Sequence, residues 1–254
     1  MLSRTWLTPE RGLSPTYGIS GHTSGVASSN PKPVTISVDE QIRVSGLMQQ
    51  PAPAKACLVL AHGAGAGMDH PFMAALAGDL AAIGIATLRF QFPYMEGHGR
   101  RPDPPALCHA TVRAVVAAAH ELAPALPLLA GGKSFGGRMT SQAQAKMPLP
   151  HVCGLVFFGF PLHPAKQPSI DRGAHLSQVK IPMLFLQGTR DALAELPLIE
   201  PLTQRLGEGT TLTLLEHADH SFHVPARSGR TDAQVRSEML QSFAVWADSA
   251  IAHG

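Results

Sequence analysis

Charge is scarce in this chain: 15% of its 254 residues are Asp, Glu, Lys or Arg, against about 25% in ordinary soluble domains. The 20 basic and 18 acidic side chains nearly cancel, leaving +2. That balance excludes a protein held mainly by its field on nucleic acid or an anionic membrane. Aromatics are few as well, at 6%, and no cluster of them could stack bases. The three cysteines, Cys57, Cys108 and Cys153, cannot all pair and match no metal-ligand spacing. Buried free thiols in a reducing compartment are expected. Long apolar runs are missing too. The stretch from Val152 to Leu162 falls far short of the roughly 18–20 residues that cross a bilayer. The opening MLSRTWLTPE has no apolar core for a secretory signal. A cytoplasmic protein with no membrane and no nucleic-acid partner is expected.

What is present is core-forming material, with 44% of residues hydrophobic. Residues 1–33, rich in Ser, Gly, Thr and Pro, read as a flexible arm. Arg4 and Arg11 against the single Glu10 leave a transit peptide as the other reading of it. Residues 34–254 read as one domain in which short apolar runs alternate with helical patterns. VTISVD and IRVSGLM are a leading strand pair; ACLVLAHG is a continuous apolar run ending in glycine, as in a buried parallel strand. A helix capped by Asp69 or His70 follows, with Pro71 in its first turn and Gly84 at its end. IATLRFQF, LPLLAGG, VCGLVFFGF, IPMLFLQG and TTLTLLEH read as further strands. Helices are expected from Asp103-Pro104 to about Leu122, after Gly137, and from Thr231, where Thr231 and Gln234 form a capping box. This alternation implies an α/β fold: a mostly parallel central sheet with helices on both faces.

Gly132-Lys133-Ser134-Phe135-Gly136 is a G-x-S-x-G pentapeptide. Alone it is weak, but it lies between an apolar strand and a helix, where a sharp turn exposes a serine oxygen. A serine hydroxyl needs a base, and the base an orienting acid. Asp191 follows the strand IPMLFLQ and His220 follows TTLTLL, so Ser134, Asp191 and His220 stand in the order such a fold requires. Asp171 comes early for the acid, and Glu195 falls where a helix is expected. His217 and His223 flank His220 and remain rival bases, while Asp219 fixes or solvates their loop. The histidine trio has no companion cluster at metal-ligand spacing, so no metal is expected. Two backbone N–H groups should receive the oxyanion, those of Phe135 and Ala64. Ala64 lies in His62-Gly63-Ala64-Gly65-Ala66-Gly67. That loop is no dinucleotide fingerprint, because Met68 stands where a glycine is needed. Gly132-Lys133-Ser134 is no phosphate loop either, because Pro127 occupies the required upstream glycine position.

These motifs carry a resemblance. FPYMEGHGRRPDP, GGKSFGGRM, FPLHP and QGTRD make the chain from about Val34 onward similar to α/β-hydrolases of the dienelactone-hydrolase-like branch. The resemblance implies an α/β-hydrolase fold and a serine hydrolase using Ser134, Asp191 and His220, with no cofactor and a small-molecule acyl substrate. Relatives of this group are subunits of a chromatin-modifying complex, which leaves a non-catalytic interaction module as the alternative. Dienelactone hydrolase itself has cysteine at the elbow where this chain has Ser134, so its lactone substrate does not carry over. Arg100 and Arg101 recur in the group and either bind an acidic substrate group or anchor their loop. Lys133 is either elbow packing or surface charge. Only about 20 residues, Pro161 to Lys180, separate FFGF from IPMLF, so no large lid is expected and the site should suit small, water-soluble acyl substrates. The sequence leaves the oligomeric state open.

Overall fold

The computed structural model of the chain describes residues 30–99 and 101–252. Most of the expected arm, residues 1–29, lies outside the described residues. The chain builds one eight-stranded sheet from β1 (Lys32–Ser37), β2 (Arg43–Gln49), β3 (Ala56–Ala61), β4 (Ile85–Phe90), β5 (Leu128–Lys133), β6 (Val152–Phe158), β7 (Met183–Gly188) and β8 (Thr210–Leu215). Their order is β1-β2-β4-β3-β5-β6-β7-β8. β2 runs antiparallel to both its neighbours, and every pairing from β4 to β8 is parallel. The parallel strands are joined by α1 (Pro71–Ala82), α2 (Pro93–Glu96), α3 (Pro105–Leu122), α4 (Phe135–Lys146) and α5 (Leu196–Leu206), and α6 (Asp232–Ala252) closes the chain.

Period-two alternation sends each central strand into two cores. Cys57, Val59 and Ala61 of β3 face α3, α4 and α5, together with Phe157 of β6 and Phe185 of β7. Ala56, Leu58 and Leu60 face α1 and α6, together with Phe158, Leu186, Phe243 and Trp246. Both faces being buried explains why these strands read as unbroken apolar runs rather than as alternating ones.

Local signals place most boundaries. His70 caps α1, its Nδ1 accepting from the Phe72 N–H at 3.2 Å. Thr231 and Gln234 exchange both bonds of the capping box, at 2.8 and 3.2 Å. Three readings need correction. α4 starts at Phe135 rather than after Gly137, because its glycines are spent on close packing and do not end a loop. Glu195 is not helical; it is the residue before α5. Cys153 is only half-buried, whereas Cys57 and Cys108 are buried and all three are free. The short α2 at Pro93–Glu96 has no periodic signal in the sequence. Between β6 and β7 the chain forms a 3-10 segment at Asp171–Gln178 and no α-helix, so the sheet carries no large lid. Among the described residues, no helix is long and apolar enough to cross a membrane.

Phe157 packs its ring against Phe160 and Phe185, with centroids 5.3 and 4.6 Å away, and is 1% exposed. Phe157→Ala should therefore cost about 3–5 kcal/mol. Guanidinium unfolding should show this as a lower midpoint with an unchanged slope.

Candidate active site

Three loops at the C-terminal ends of neighbouring strands converge on Ser134. The serine sits between β5 and α4 at φ 50°, ψ −114°, a left-handed conformation that costs a non-glycine residue on the order of 1–3 kcal/mol. Glycine makes the turn sterically possible. A Cβ on Gly136 would stand 2.5 Å from the His62 carbonyl oxygen, and one on Gly132 would collide with the Ala61 carbonyl.

His220 arrives on the loop after β8. Its Nε2 accepts from Ser134 Oγ at 2.8 Å, and its Nδ1 donates to Asp191 Oδ2 at 2.7 Å. Asp191 follows β7, and its carboxylate is fully buried. Its charge is met by the His220 ring, by Gln187 Nε2 at 2.5 Å and by the Leu193 N–H at 2.8 Å, as a buried carboxylate requires. Gln187 also accepts from the Phe160 N–H at 2.9 Å. It thereby ties the acid to the end of β6.

The loop after β3 brings Ala64 to the cleft beside Ser134. Among the described residues, neither the Ala64 nor the Phe135 N–H has a protein acceptor. The Phe135 N–H also belongs to the first turn of α4, where the helix dipole favours negative charge. His62 holds this loop. It is fully buried, and desolvation pushes its pKa down to about 4. The neutral ring donates from Nδ1 to the Gly63 carbonyl at 2.7 Å and accepts the Phe92 N–H on Nε2 at 3.1 Å. Tyr94 Oη accepts from the Gly65 N–H at 3.2 Å. Beside Ser134 opens a cleft of about 440 Å³, with Ala64, Phe72, Met73 and Leu193 among its walls.

The structure thus brings Ser134, Asp191, His220, Ala64 and Phe135 together. The rivals lie apart. His217 is half-buried beside Glu216, and His223 bonds Asp232 at 2.9 Å. Asp219 accepts the N–H groups of Ser221 and His223, fixing the histidine loop. Asp171 is exposed at the start of the 3-10 segment. Arg101 is exposed and does not line the cleft, and Arg100 lies outside the described residues. Sequence reasoning misses Gln187 and His62. A polar residue ending an apolar strand and a histidine opening a glycine loop are the signals that point to them. Lys133 is neither surface charge nor simple packing: its Nζ donates to the His220 carbonyl at 2.6 Å.

Residues 54–248 match the family model described as an alpha/beta hydrolase domain. Among solved structures, the chain is similar to an alpha-beta serine hydrolase homologue from Coxiella burnetii. The two share 18% identity and a TM-score of 0.67 over 86% of this chain and 99% of that one. Dienelactone hydrolase from Anabaena variabilis gives 22% and 0.67 over 86% and 97%. A serine hydrolase without lid from Xanthomonas campestris gives 19% and 0.67 over 87% and 97%. At these identities the likeness is one of fold.

Gln187→Leu removes a donor from a buried carboxylate and an acceptor from a buried N–H. A loss of about 1–3 kcal/mol is expected for each group left unpaired. Chemical denaturation measures it; a midpoint equal to the wild type would mean that water replaces both bonds.

Proposed function

Because this chain belongs to the alpha/beta hydrolase domain family, we propose that it is a serine hydrolase cleaving an ester or related acyl bond of a small soluble substrate through an acyl-enzyme. The observation that carries this reading is the unbroken hydrogen-bond chain from Asp191 through His220 to Ser134, at the mouth of the cleft. Ser134 Oγ attacks the acyl carbon as its proton passes to His220 Nε2. Asp191 holds the ring in the tautomer that leaves Nε2 free to accept, and stabilises the imidazolium. Negative charge on the carbonyl oxygen is met by the Ala64 and Phe135 N–H groups. The imidazolium returns its proton to the leaving alkoxide. Water, deprotonated by His220, then attacks the acyl-enzyme and releases the acid and free Ser134. The reaction balances with water alone and calls on no cofactor.

The open cleft and the short connection between β6 and β7 support small substrates. Turnover of short p-nitrophenyl esters is expected, without interfacial activation on emulsified triglyceride.

Fluorophosphonate should add once per chain at Ser134, read by intact-protein mass spectrometry. Ser134→Ala should abolish the adduct, and His220→Ala should slow it by orders of magnitude. His217→Ala and His223→Ala should leave it unchanged. A folded wild-type chain that stays unlabelled would overturn the reading and favour an interaction module on the same scaffold. Asp191→Asn should keep the fold and lower turnover on the order of 10⁴-fold, because the amide favours the wrong imidazole tautomer. Near-normal turnover would move the acid's role to another carboxylate.

A further inference from the structure

Lys133 takes no part in the steps above, yet it is built into the site. It is the last residue of β5, directly before Ser134, and its side chain crosses to the histidine loop. There Nζ donates to the main-chain carbonyl of His220 at 2.6 Å and lies 5.1 Å from the centroid of the Phe222 ring. Gly159, at the end of β6, leaves the space. A Cβ there would come within 3.0 Å of Lys133 Nζ and 3.5 Å of the His220 ring. A single absent side chain thus makes room for both the ammonium and the imidazole.

We propose that Lys133 is a positioning residue whose ammonium grips the His220 carbonyl and holds the imidazole at hydrogen-bond distance from Ser134. This rests on the serine-hydrolase reading. The bond makes the nucleophile turn and the histidine loop one mechanical unit, so that neither shifts without the other. A charge-assisted bond suits the task, being shorter and stronger than a neutral one.

The groups facing Nζ set when the grip is charged. Burial pushes the Lys133 pKa down to about 8, while Asp191 and Asp219 pull it upward. The His220 carbonyl and the Phe222 ring face it without changing charge near that pH. Above pH 8 the ammonium becomes an amine and its hold on the carbonyl weakens. Stability moves the other way. The folded pKa lies below the ordinary 10.5, so between those values the unfolded chain binds more protons and stability from this group rises with pH. Activity should therefore fall through pH 8 while the fold does not loosen.

The test uses the full chain, with wild type, Lys133→Met and Lys133→Arg. Lys133→Met should lower kcat by about tenfold to a hundredfold, the scale of one hydrogen bond to a charged group, with KM within about twofold of the wild type. It should also lack the wild-type alkaline limb near pH 8. Lys133→Arg should recover part of kcat and show no such limb, because a guanidinium stays charged. A readout independent of turnover is the low-field NMR resonance of the His220 Nδ1 proton. It should be sharp in the wild type, broadened in Lys133→Met and restored in Lys133→Arg. Unchanged kcat, pH profile and resonance in Lys133→Met would overturn the proposal. Should Lys133→Met not fold, a wild-type profile without a limb near pH 8 would overturn it. If the wild type neither turns over esters nor reacts with fluorophosphonate, the hydrolase reading fails, and the resonance alone decides the role of Lys133.

Discussion

The N-terminus of α4 approaches the end of β3 so closely that a Cβ on Gly136 would stand 2.5 Å from the His62 carbonyl oxygen. That approach holds Ser134 at φ 50°. The strained serine cannot relax, because α4 is packed on the sheet through Met139 and Ala143 and cannot retreat. Phe135 thereby opens α4 with an N–H that has no protein acceptor among the described residues. The loop after β3 brings Ala64 to the cleft that Ser134 lines. One steric contact thus sets both the backbone conformation of Ser134 and its place at the head of α4.

Burial of Asp191 is the second requirement, and it follows from the first. An imidazole placed against Ser134 needs a partner behind it, and the space behind it is interior. A carboxylate buried there without hydrogen bonds would carry a large desolvation cost. Gln187, the Leu193 N–H and His220 meet that need. Because Gln187 also binds the Phe160 N–H, the acid is referenced to β6 as well as to its own strand. Asp191, His220 and Ser134 come from three different strand ends, and each is secured to at least one other strand end.

Candidates that depend on chain order are legible in the sequence alone. Ser134 lies in a motif flanked by a strand and a helix, and Asp191 and His220 each follow an apolar run. Such positions fall on one edge of a parallel sheet because every strand points the same way. The start of α4 is not legible in this way, because Gly136 and Gly137 read as loop residues. Their glycine character serves contacts with Ala61, His62 and Gly132, which are distant in sequence or hidden in the turn. Glu195 reads as helical for want of any local sign that α5 begins one residue later. The choice among His217, His220 and His223 has no local signal, since three histidines on one short loop differ only in direction.

The α/β alternation, the two-sided burial of the central strands and the chain order of the candidate triad are all written in local patterns of residues. Each follows from periodicity and from residues within a few positions of one another. Which histidine meets Ser134, that Gln187 and the Leu193 N–H hydrogen-bond Asp191, and that Lys133 reaches the His220 carbonyl emerge only in the folded chain. These contacts join residues as far as 87 apart in the chain. A side chain's direction at the end of a strand is set by the packing of neighbouring loops. No pattern of period 2 or 3.6 encodes it.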